Sequence, residues 1–224
     1  MTWCGIEGHD QVVESFRRSL AANRLASTFL FVGPSGTGKR SFALRLAQAL
    51  LCETNSAVEL EPCRQCDSCV QVEAGSHPDV DVIQRPSNAT VIPLELLIGD
   101  REHRNREGLC HRIALKPAKG SRRVANIDDA DFLNQEGANS LLKTLEEPPP
   151  RSVLILIGTS VQRQLPTIRS RCQIIQFRPL PDTFVSDYLL RNEIVATSGE
   201  AAEIAALAEG SLDRALEFAL EENI

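Results

Sequence analysis

Apolar residues follow two different periods along this chain. Five short, mostly apolar runs predict buried strands, at residues 29–32, 80–83, 123–127, 153–158 and 173–177. Elsewhere apolar residues recur every three or four positions, which predicts helices at residues 11–25, 42–50, 93–98, 130–147, 182–190, 200–207 and 212–220. Strands that alternate with helices predict an α/β fold with a five-stranded parallel sheet, and the fully apolar run 153–158 predicts a central strand.

A glycine-rich loop joins the first strand to the helix that follows it. Gly33, Gly38 and Lys39 match the spacing G-x-x-x-x-G-K of a P-loop, which binds phosphate through backbone N–H groups, a helix N-terminus and the lysine. The motif ordinarily ends in Ser or Thr, whose hydroxyl holds Mg²⁺, but Arg40 occupies that position. Ser41 lies about 100° further round the helix, at roughly 3.6 residues per turn, and would not point at the same ion. We expect nucleotide binding with weak or absent hydrolysis; a glycine turn with a surface lysine is the alternative.

Two carboxylates follow the third predicted strand. Asp128 and Asp129 stand where a P-loop ATPase orients Mg²⁺ and polarises the attacking water. The second residue is usually Glu, and a helix cap is an equally good interpretation of Asp129. Arg40 would pair with Asp128 if it fills the ion's place with a fixed cation. Thr159 lies at the carboxyl end of the fourth strand, beside the expected position of a γ-phosphate.

Four cysteines are spaced as metal ligands. Cys63, Cys66 and Cys69 form a C-x₂-C-x₂-C motif, and Cys52 precedes it. Four thiolates suit a tetrahedral structural zinc, whose binding would order this apolar-poor loop with on the order of 10 kcal/mol. An iron–sulfur cluster is the alternative, and the short spacing favours zinc. The remaining cysteines are predicted to be small core residues: Cys4, Cys110 and Cys172.

Basic residues cluster in an otherwise acidic chain, in what we call the basic segment (residues 101–123). Its members are Arg101, Arg104, Arg106, Arg112, Lys116, Lys119, Arg122 and Arg123. Three carboxylates between positions 100 and 123 oppose them. The segment could contact a phosphate backbone, or it could be a solvated face.

Composition narrows the class of protein. Of 224 residues 42% are hydrophobic, which is ample for a core, yet no stretch approaches the roughly 18 unbroken apolar residues of a membrane span. A net charge of −6 argues against a protein that coats nucleic acid unaided. The first residues lack the basic region and apolar core of a signal peptide, so a cytoplasmic location with reduced thiols is expected.

Two prolines predict a domain boundary. Pro179 and Pro181 separate an α/β domain at residues 1–178, which includes the cysteine module 52–69, from a small helical domain at residues 179–224.

Several longer strings resemble the AAA+ subunits of bacterial DNA polymerase III clamp loaders. The most specific are Leu141-Leu-Lys-Thr-Leu-Glu-Glu-Pro-Pro149 and Ser170-Arg-Cys172, and the P-loop, the cysteine module and residues 6–8 and 210–216 agree. Residues 71–79 and Arg40 are more similar to the delta-prime type than to the gamma/tau type. The resemblance implies an AAA+ P-loop domain, a helical lid and a C-terminal collar domain. Because the chain ends in the second domain, it is expected to be a fragment or a shortened form.

The resemblance also implies roles for individual residues. Ile6 and Gly8 would lie near the adenine, Asp128 and Asp129 would be the Walker B carboxylates, and Thr159 would be sensor 1. The phosphate-binding residues would be Gly33, Pro34, Ser35, Gly36, Thr37, Gly38, Lys39, Arg40 and Ser41.

Two arginines complete the implied site. Arg171 would be an arginine finger that reaches the ATP of a neighbouring subunit. The alternative is a structural arginine that pairs with a carboxylate of its own chain. The sensor 2 arginine of the family falls on Asp213, with Arg214 one residue later, which further weakens the expectation of hydrolysis.

The expected function is that of a delta-prime-like subunit that supports ATP-dependent loading of the sliding clamp onto DNA. Its expected partners are the gamma/tau and delta subunits, with the clamp and primer-template DNA contacted through the complex. A gamma/tau-like motor that hydrolyses ATP at its own P-loop is the alternative. A nucleotide kinase with a zinc lid would not explain the two specific strings. Expected cofactors are structural Zn²⁺ and ATP or ADP, with Mg²⁺ doubtful.

Overall fold

A parallel sheet forms the centre of the α/β domain. The computed structural model describes residues 3–221, so positions 1–2 and 222–224 of the two predicted domains lie outside the described residues. The strands are β1 (Thr28–Val32), β2 (Val80–Ile83), β3 (Arg123–Ile127), β4 (Ser152–Gly158) and β5 (Gln173–Gln176). They lie in the order β2-β3-β4-β1-β5, and every neighbouring pair is parallel. The predicted α/β class, the five-stranded parallel sheet and the central position of β4 are confirmed.

Helices cover both faces of the sheet, and the last three helices pack with one another beyond it. They are α1 (Asp10–Ala21), α2 (Lys39–Leu51), α3 (Asp67–Glu73), α4 (Leu94–Ile98), α5 (Gly108–Ala114), α6 (Gln135–Glu146), α7 (Pro166–Arg169), α8 (Asp182–Arg191), α9 (Ser198–Ala208) and α10 (Leu212–Glu221).

Alternating side chains of β1 divide the core between the two faces of the sheet. Phe29 and Phe31 lie in an aromatic cluster with α1 and α2, where the ring of Phe42 is 5.8 Å from that of Phe31. Leu30 and Val32 point to the other face and pack with α4, α5 and α6. Because Phe42 is fully buried, its truncation to Ala would cost about 3–5 kcal/mol. This packing fixes the start of α2, and so the loop before it, against the sheet.

The last three helices have a core of their own. Buried side chains from Leu180 to Ala219 form a third cluster, apart from the two clusters on the sheet. We call residues 180–221 the lid. The lid touches the α/β domain beside β1, where the Leu212 N–H donates to Gly36 O at 3.0 Å.

Two predicted helices are wrong at one end. The first ends at Ala21 rather than at residue 25, because Asn23 adopts a left-handed φ of +51°, which Asn tolerates and which stops a helix. The helix predicted from residue 130 begins only at Gln135, after a 3₁₀ turn at Ala130–Phe132. Asn134 caps it by accepting the Gly137 N–H at 2.8 Å.

Candidate nucleotide site and its surroundings

The phosphate loop (residues 33–38) lies at the carboxyl edge of the sheet, between β1 and α2. Open α/β sheets bind ligands at this edge. Gly36 and Gly38 have φ values of +68° and +82°, which glycine adopts without the strain of a side chain. Helix α2 begins at Lys39, so its N-terminus faces the loop, as an anion site requires.

Lys39 is held by its own loop. Its Nζ donates to Gly33 O at 2.8 Å and to Pro34 O at 2.5 Å, and the residue is buried. Burial lowers the pKa of the Lys39 ammonium, while the nearby carboxylates Asp131 and Asp213 oppose that change. The ammonium therefore lies within the loop with only carbonyl oxygens as close partners, and a phosphate would compete with those carbonyls for it.

Arg40 forms an ion pair with Asp128. Arg40 Nε lies 3.2 Å from Asp128 Oδ2, and Gln84 Nε2 donates to the same oxygen at 3.2 Å. Burial raises the pKa of Asp128, although Arg40 and Gln84 work against the rise. Asp128 Oδ1 is buried without a hydrogen-bond partner. The hypothesis that Arg40 pairs with this carboxylate is confirmed.

Asp129 is exposed beside this pair. It adopts a left-handed φ of +58°, and its side chain makes no capping hydrogen bond, so the interpretation as a helix cap is wrong. The cap of the following helix is Asn134. The carboxylate of Asp129 is left facing the cavity that the phosphate loop borders.

Thr159 is fixed by a residue that the sequence did not single out. Its hydroxyl and its backbone N–H donate to Asp131 Oδ2 at 2.6 and 2.9 Å, and Gln164 Nε2 donates to Asp131 Oδ1. The Asp131 side chain is only 4% exposed. Arg163 lies near both, with Nη1 3.4 Å from Thr159 Oγ1. A buried carboxylate thus orients the hydroxyl at the end of β4.

Two adjoining cavities open at this edge. The larger, of about 660 Å³, is mainly lined by polar residues of the phosphate loop and of the strand ends: Ser35, Gly36, Thr37, Gly38, Lys39, Arg40, Ser41, Gln84, Asp128, Asp129, Asp131, Thr159, Arg163 and Asp213. The smaller, of about 440 Å³, is lined by Ile6 and by lid residues that include Leu180, Phe184 and Tyr188. Five residues border both cavities: Thr37, Gly38, Ser41, Tyr188 and Leu212.

Of the two residues predicted near an adenine, one lines the smaller cavity. Ile6 lines the smaller cavity. Gly8 is not among its lining residues and packs against the lid, where a Cβ would come within 3.3 Å of Leu180 Cδ2. Next to Gly8, the ring of His9 is buried, and its Nε2 donates to Thr37 O at 2.7 Å. The N-terminal segment is therefore tied directly to the phosphate loop.

The lid meets the phosphate loop through Asp213 rather than Arg214. Ser35 Oγ donates to Asp213 Oδ2 at 2.7 Å, and Asp213 lines the larger cavity. Arg214 pairs instead with Glu209 and lies over the ring of Phe218. The structure thus places a carboxylate where the family resemblance implies a cationic sensor, and Arg214 is not among the residues that line either cavity.

Arg171 lies at the opposite edge of the sheet. Its backbone carbonyl accepts the hydroxyl hydrogen of Thr28, the first residue of β1, at 2.8 Å. The length of β1, roughly 13 Å at 3.3 Å per residue, therefore separates Arg171 from the phosphate loop. Arg171 Nε and Nη2 donate to Glu146 Oε1 at 2.8 and 2.5 Å, and Nη1 donates to Thr167 O at 2.9 Å. The guanidinium is thus paired with a carboxylate of its own chain, and its side chain remains 29% exposed.

The four spaced cysteines converge on one point. The sulfur atoms of Cys52, Cys63, Cys66 and Cys69 lie within 4.8 Å of one another, so this group could hold a metal ion. Cys63 and Cys69 sulfurs are 4.0 Å apart, close to the roughly 3.8 Å edge of a tetrahedron with 2.3 Å metal–sulfur bonds. Backbone N–H groups of Cys66 and Cys69 point at Cys63 and Cys66 sulfurs, at 3.3 and 3.5 Å, which favours thiolates. The donor set and its spacing fit a tetrahedral metal.

The other three cysteines pack where they were predicted. Cys172 is buried, and Cys4 and Cys110 are partly buried against the two clusters on the sheet.

Comparison with known proteins places this architecture in a family. A family model described as "DNA polymerase III, delta subunit" matches residues 8–181, well over half of the chain. The chain belongs to the DNA polymerase III delta subunit family.

Curated relatives of this delta-family chain include two delta′ subunits. DNA polymerase III subunit delta′ of Bacillus subtilis is 32% identical over 184 residues, which is 82% of the chain and 52% of the relative. The delta′ subunit of Pseudomonas aeruginosa is 37% identical over 187 residues, 83% of the chain and 53% of the relative. Subunit tau of Escherichia coli is 32% identical over 219 residues, 96% of the chain and 32% of the relative. The chain spans about half the length of the delta′ relatives.

Solved structures share the fold at lower identity. A DNA polymerase III gamma subunit-related protein from Thermotoga maritima matches with a TM-score of 0.58 at 20% identity, over 92% of this chain and 57% of that chain. A mutant of RuvB from the same organism matches with a TM-score of 0.55 at 14% identity, over 94% and 59%. The delta-family chain therefore shares the α/β fold of these two proteins.

Part of the basic segment of this delta-family chain is structural. Arg123 is buried and lies 3.7 and 3.6 Å from the carboxylates of Asp79 and Asp81, and Arg112 Nε lies 2.5 Å from Asp81. Lys119 Nζ lies 3.1 Å from Glu53. The interpretation as a solvated face is wrong for Arg123, which is buried between Asp79 and Asp81. Arg112 and Lys119 form ion pairs but stay partly or largely exposed.

No helix among residues 3–221 is both long and apolar enough to cross a membrane.

Proposed function

We propose that the chain acts as a delta-prime-like subunit of the DNA polymerase III clamp loader and contributes Arg171 to the ATP site of a neighbouring subunit. Through that complex, with gamma/tau and delta subunits, it would support loading of the sliding clamp onto primer-template DNA. The names of the delta′ relatives support this assignment. The proposed location is the cytoplasm.

The position of Arg171 is the observation on which the proposal rests. The residue lies at the amino ends of β1 and β5, whereas the phosphate loop follows the carboxyl end of β1. Arg171 therefore cannot serve its own cavity, and its partly exposed guanidinium would reach a neighbour by leaving Glu146. A guanidinium that offsets charge on a γ-phosphate accelerates related phosphoryl transfers roughly 10³- to 10⁵-fold.

Replacing Arg171 in the reconstituted complex tests the proposal. We expect Arg171→Ala to leave the melting temperature of the chain nearly unchanged, because a partly exposed surface ion pair contributes about 0–1 kcal/mol. The ATPase rate of the complex should fall at least tenfold. Arg171→Lys should not restore it, because the ammonium lacks the planar fork of donors. Arg169→Ala, at an exposed arginine two residues earlier, is the matched control. An unchanged rate with Arg171→Ala properly assembled would refute the role.

A gamma/tau-like ATPase is the second candidate. The tau relative of E. coli matches 96% of the chain, more than either delta′ relative does. Under this alternative the chain alone would hydrolyse ATP in a Mg²⁺-dependent reaction. We propose instead that the cavity beside Lys39 binds ATP or ADP weakly with negligible turnover. Arg40 stands in place of the Mg²⁺-seating hydroxyl, and the family resemblance puts Asp213, which lines the cavity, at the sensor 2 position.

Zinc is the metal that we propose for Cys52, Cys63, Cys66 and Cys69. Thiolate-only tetrahedral sites are typical of structural zinc. The ion would hold the loop between α2 and α3 and take no part in chemistry.

A further inference from the structure

The cavity beside the phosphate loop retains the parts that recognise a nucleoside and its phosphates. The smaller cavity offers apolar and aromatic contacts from Ile6, Phe184 and Tyr188, as a base and its ribose need. It continues into the polar cavity past Thr37 and Gly38. Base and phosphate subsites are thus adjacent and joined.

The phosphate subsite is built from more than a helix N-terminus. Besides the loop and the first turn of the 13-residue helix α2, it contains the buried Lys39 and the exposed Arg163. Asp128, whose side chain is 9% exposed, borders the same cavity with one oxygen that has no hydrogen-bond partner. A carboxylate oxygen of this kind ordinarily accepts from a donor such as water or a ligand hydroxyl, so it marks the cavity as a polar ligand site but is not itself a phosphate contact.

The cation subsite is where this chain departs from a Mg²⁺-dependent P-loop. Arg40 lies 3.2 Å from Asp128, so the carboxylate that would orient a metal ion already faces a fixed positive charge. A doubly charged ion beside Asp128 would be repelled by that guanidinium at ion-pair distance. Arg40 Nε lies next to Asp128, and the two terminal nitrogens carry four N–H groups that can bond phosphate oxygens.

We infer that the cavity binds a nucleoside di- or triphosphate without a divalent cation, with the Arg40 guanidinium in the place of Mg²⁺. This inference rests on the proposed nucleotide occupancy of the cavity but not on the proposed role of Arg171. Bound nucleotide would brace the phosphate loop against the lid and would not be hydrolysed.

Other charges around Arg40 set the strength of this binding. The carboxylate of Asp131 is engaged by Thr159 and Gln164, and that of Asp129 is exposed. Asp213, which accepts from Ser35, is the carboxylate that a phosphate must displace from the loop. We therefore expect affinity to be limited by Asp213, and Asp213→Asn to strengthen binding in the absence of Mg²⁺.

Titration of ADP and ATP into the isolated chain, in EDTA and in excess Mg²⁺, tests the inference by calorimetry or by the shift in melting temperature. Wild-type protein should bind at least as tightly in EDTA as in Mg²⁺. Arg40→Ser, which restores the hydroxyl of the motif, should reverse the order and bind on the order of tenfold more tightly in Mg²⁺. Arg40→Gln should lose affinity in EDTA without gaining any in Mg²⁺. Arg40 is exposed but Asp128 is buried and loses its counter-charge in both variants, so the melting temperature of each variant without nucleotide is its own reference.

Two controls make each outcome decisive. Lys39→Ala should abolish binding in both conditions, and adenosine or pyrophosphate alone should bind more weakly than ADP if both subsites are used. Binding by the wild type only in Mg²⁺, or no binding in either condition, would overturn the inference. Neither result would alter the expected loss of complex ATPase in Arg171→Ala, so the two proposals can fail separately.

Discussion

Arg171 donates two hydrogen bonds to a single oxygen of Glu146, from Nε at 2.8 Å and from Nη2 at 2.5 Å. Glu146 is the last residue of α6 and belongs to the specific string that ends in Pro149. An arginine that serves a neighbouring ATP must exchange this carboxylate for a phosphate. In the isolated chain, Glu146 therefore holds the guanidinium at the sheet edge, and under the proposed role a partner's phosphate would have to displace it.

Neutralising Glu146 should release Arg171. Glu146→Gln removes the charge but keeps the length of the side chain. Separating the guanidinium of Arg171 from this side chain then costs less free energy. We expect unfolding free energy in urea to change by less than about 1 kcal/mol, because both side chains are partly exposed. The ATPase rate of the reconstituted complex should equal or exceed that of the wild type. A decrease in this ATPase rate as large as that expected for Arg171→Ala would mean that Glu146 is needed to position the Arg171 guanidinium. Glu147→Gln, next in sequence, is the control.

Removing one thiolate should abolish metal binding. Cys66→Ser leaves three sulfur ligands, and we expect elemental analysis to change from one zinc per chain to nearly none, with a melting temperature lower by several degrees. Cys110→Ser alters a partly buried cysteine outside the cluster and should keep the zinc. Purified wild-type protein without zinc, or zinc loss with no change in stability, would contradict the assignment.

Two buried histidines should make stability depend on pH. Burial lowers the pKa of His9 from its ordinary 6.5, with Lys39 acting in the same direction, while the hydrogen bond to Thr37 and Asp10 oppose them. Burial likewise lowers the pKa of His77. As the pH falls below about 6.5, the unfolded chain takes up protons that the folded chain resists, so stability is fully present above that pH and declines below it.

Urea unfolding at pH 7.5 and 5.5 measures this loss for His9. His9→Gln retains a donor for Thr37 O but cannot be protonated. We expect the difference in unfolding free energy between the two pH values to shrink by on the order of 1 kcal/mol. His77→Gln tests the second buried histidine in the same way. An undiminished difference in His9→Gln would exclude His9 as a source.

The sheet was predictable from sequence because its strands are short apolar runs with polar ends. β1 and β4 are buried along their whole length, and their predicted bounds differ by one residue from those observed. The cysteine cluster was predictable because its ligands are close in sequence. Helix ends were less predictable, since Asn23 and Asn134 each act through a backbone conformation or a cap that competes with a continuing apolar period.

The cavity was predictable only in part. Its phosphate loop is a local motif. Asp131, Arg163 and Gln84 line the cavity because they follow parallel strands, whose carboxyl ends meet at one edge of the sheet. Their position just after β2, β3 and β4 was the available signal. Tyr188 comes from the lid, and no local pattern places it there, since the contact depends on how two cores dock.

The contact between Gly36 and the lid also affects the stability of the lid. A Cβ at Gly36 would come within 2.5 Å of Asp213 N and Ser211 Oγ, so the loop and the start of α10 are pressed together without space for a side chain. The lid comprises only about 40 residues, a size at which few domains fold unaided. Its helices therefore depend on this docking, and the chain should melt on heating in one cooperative transition, with a single peak in calorimetry.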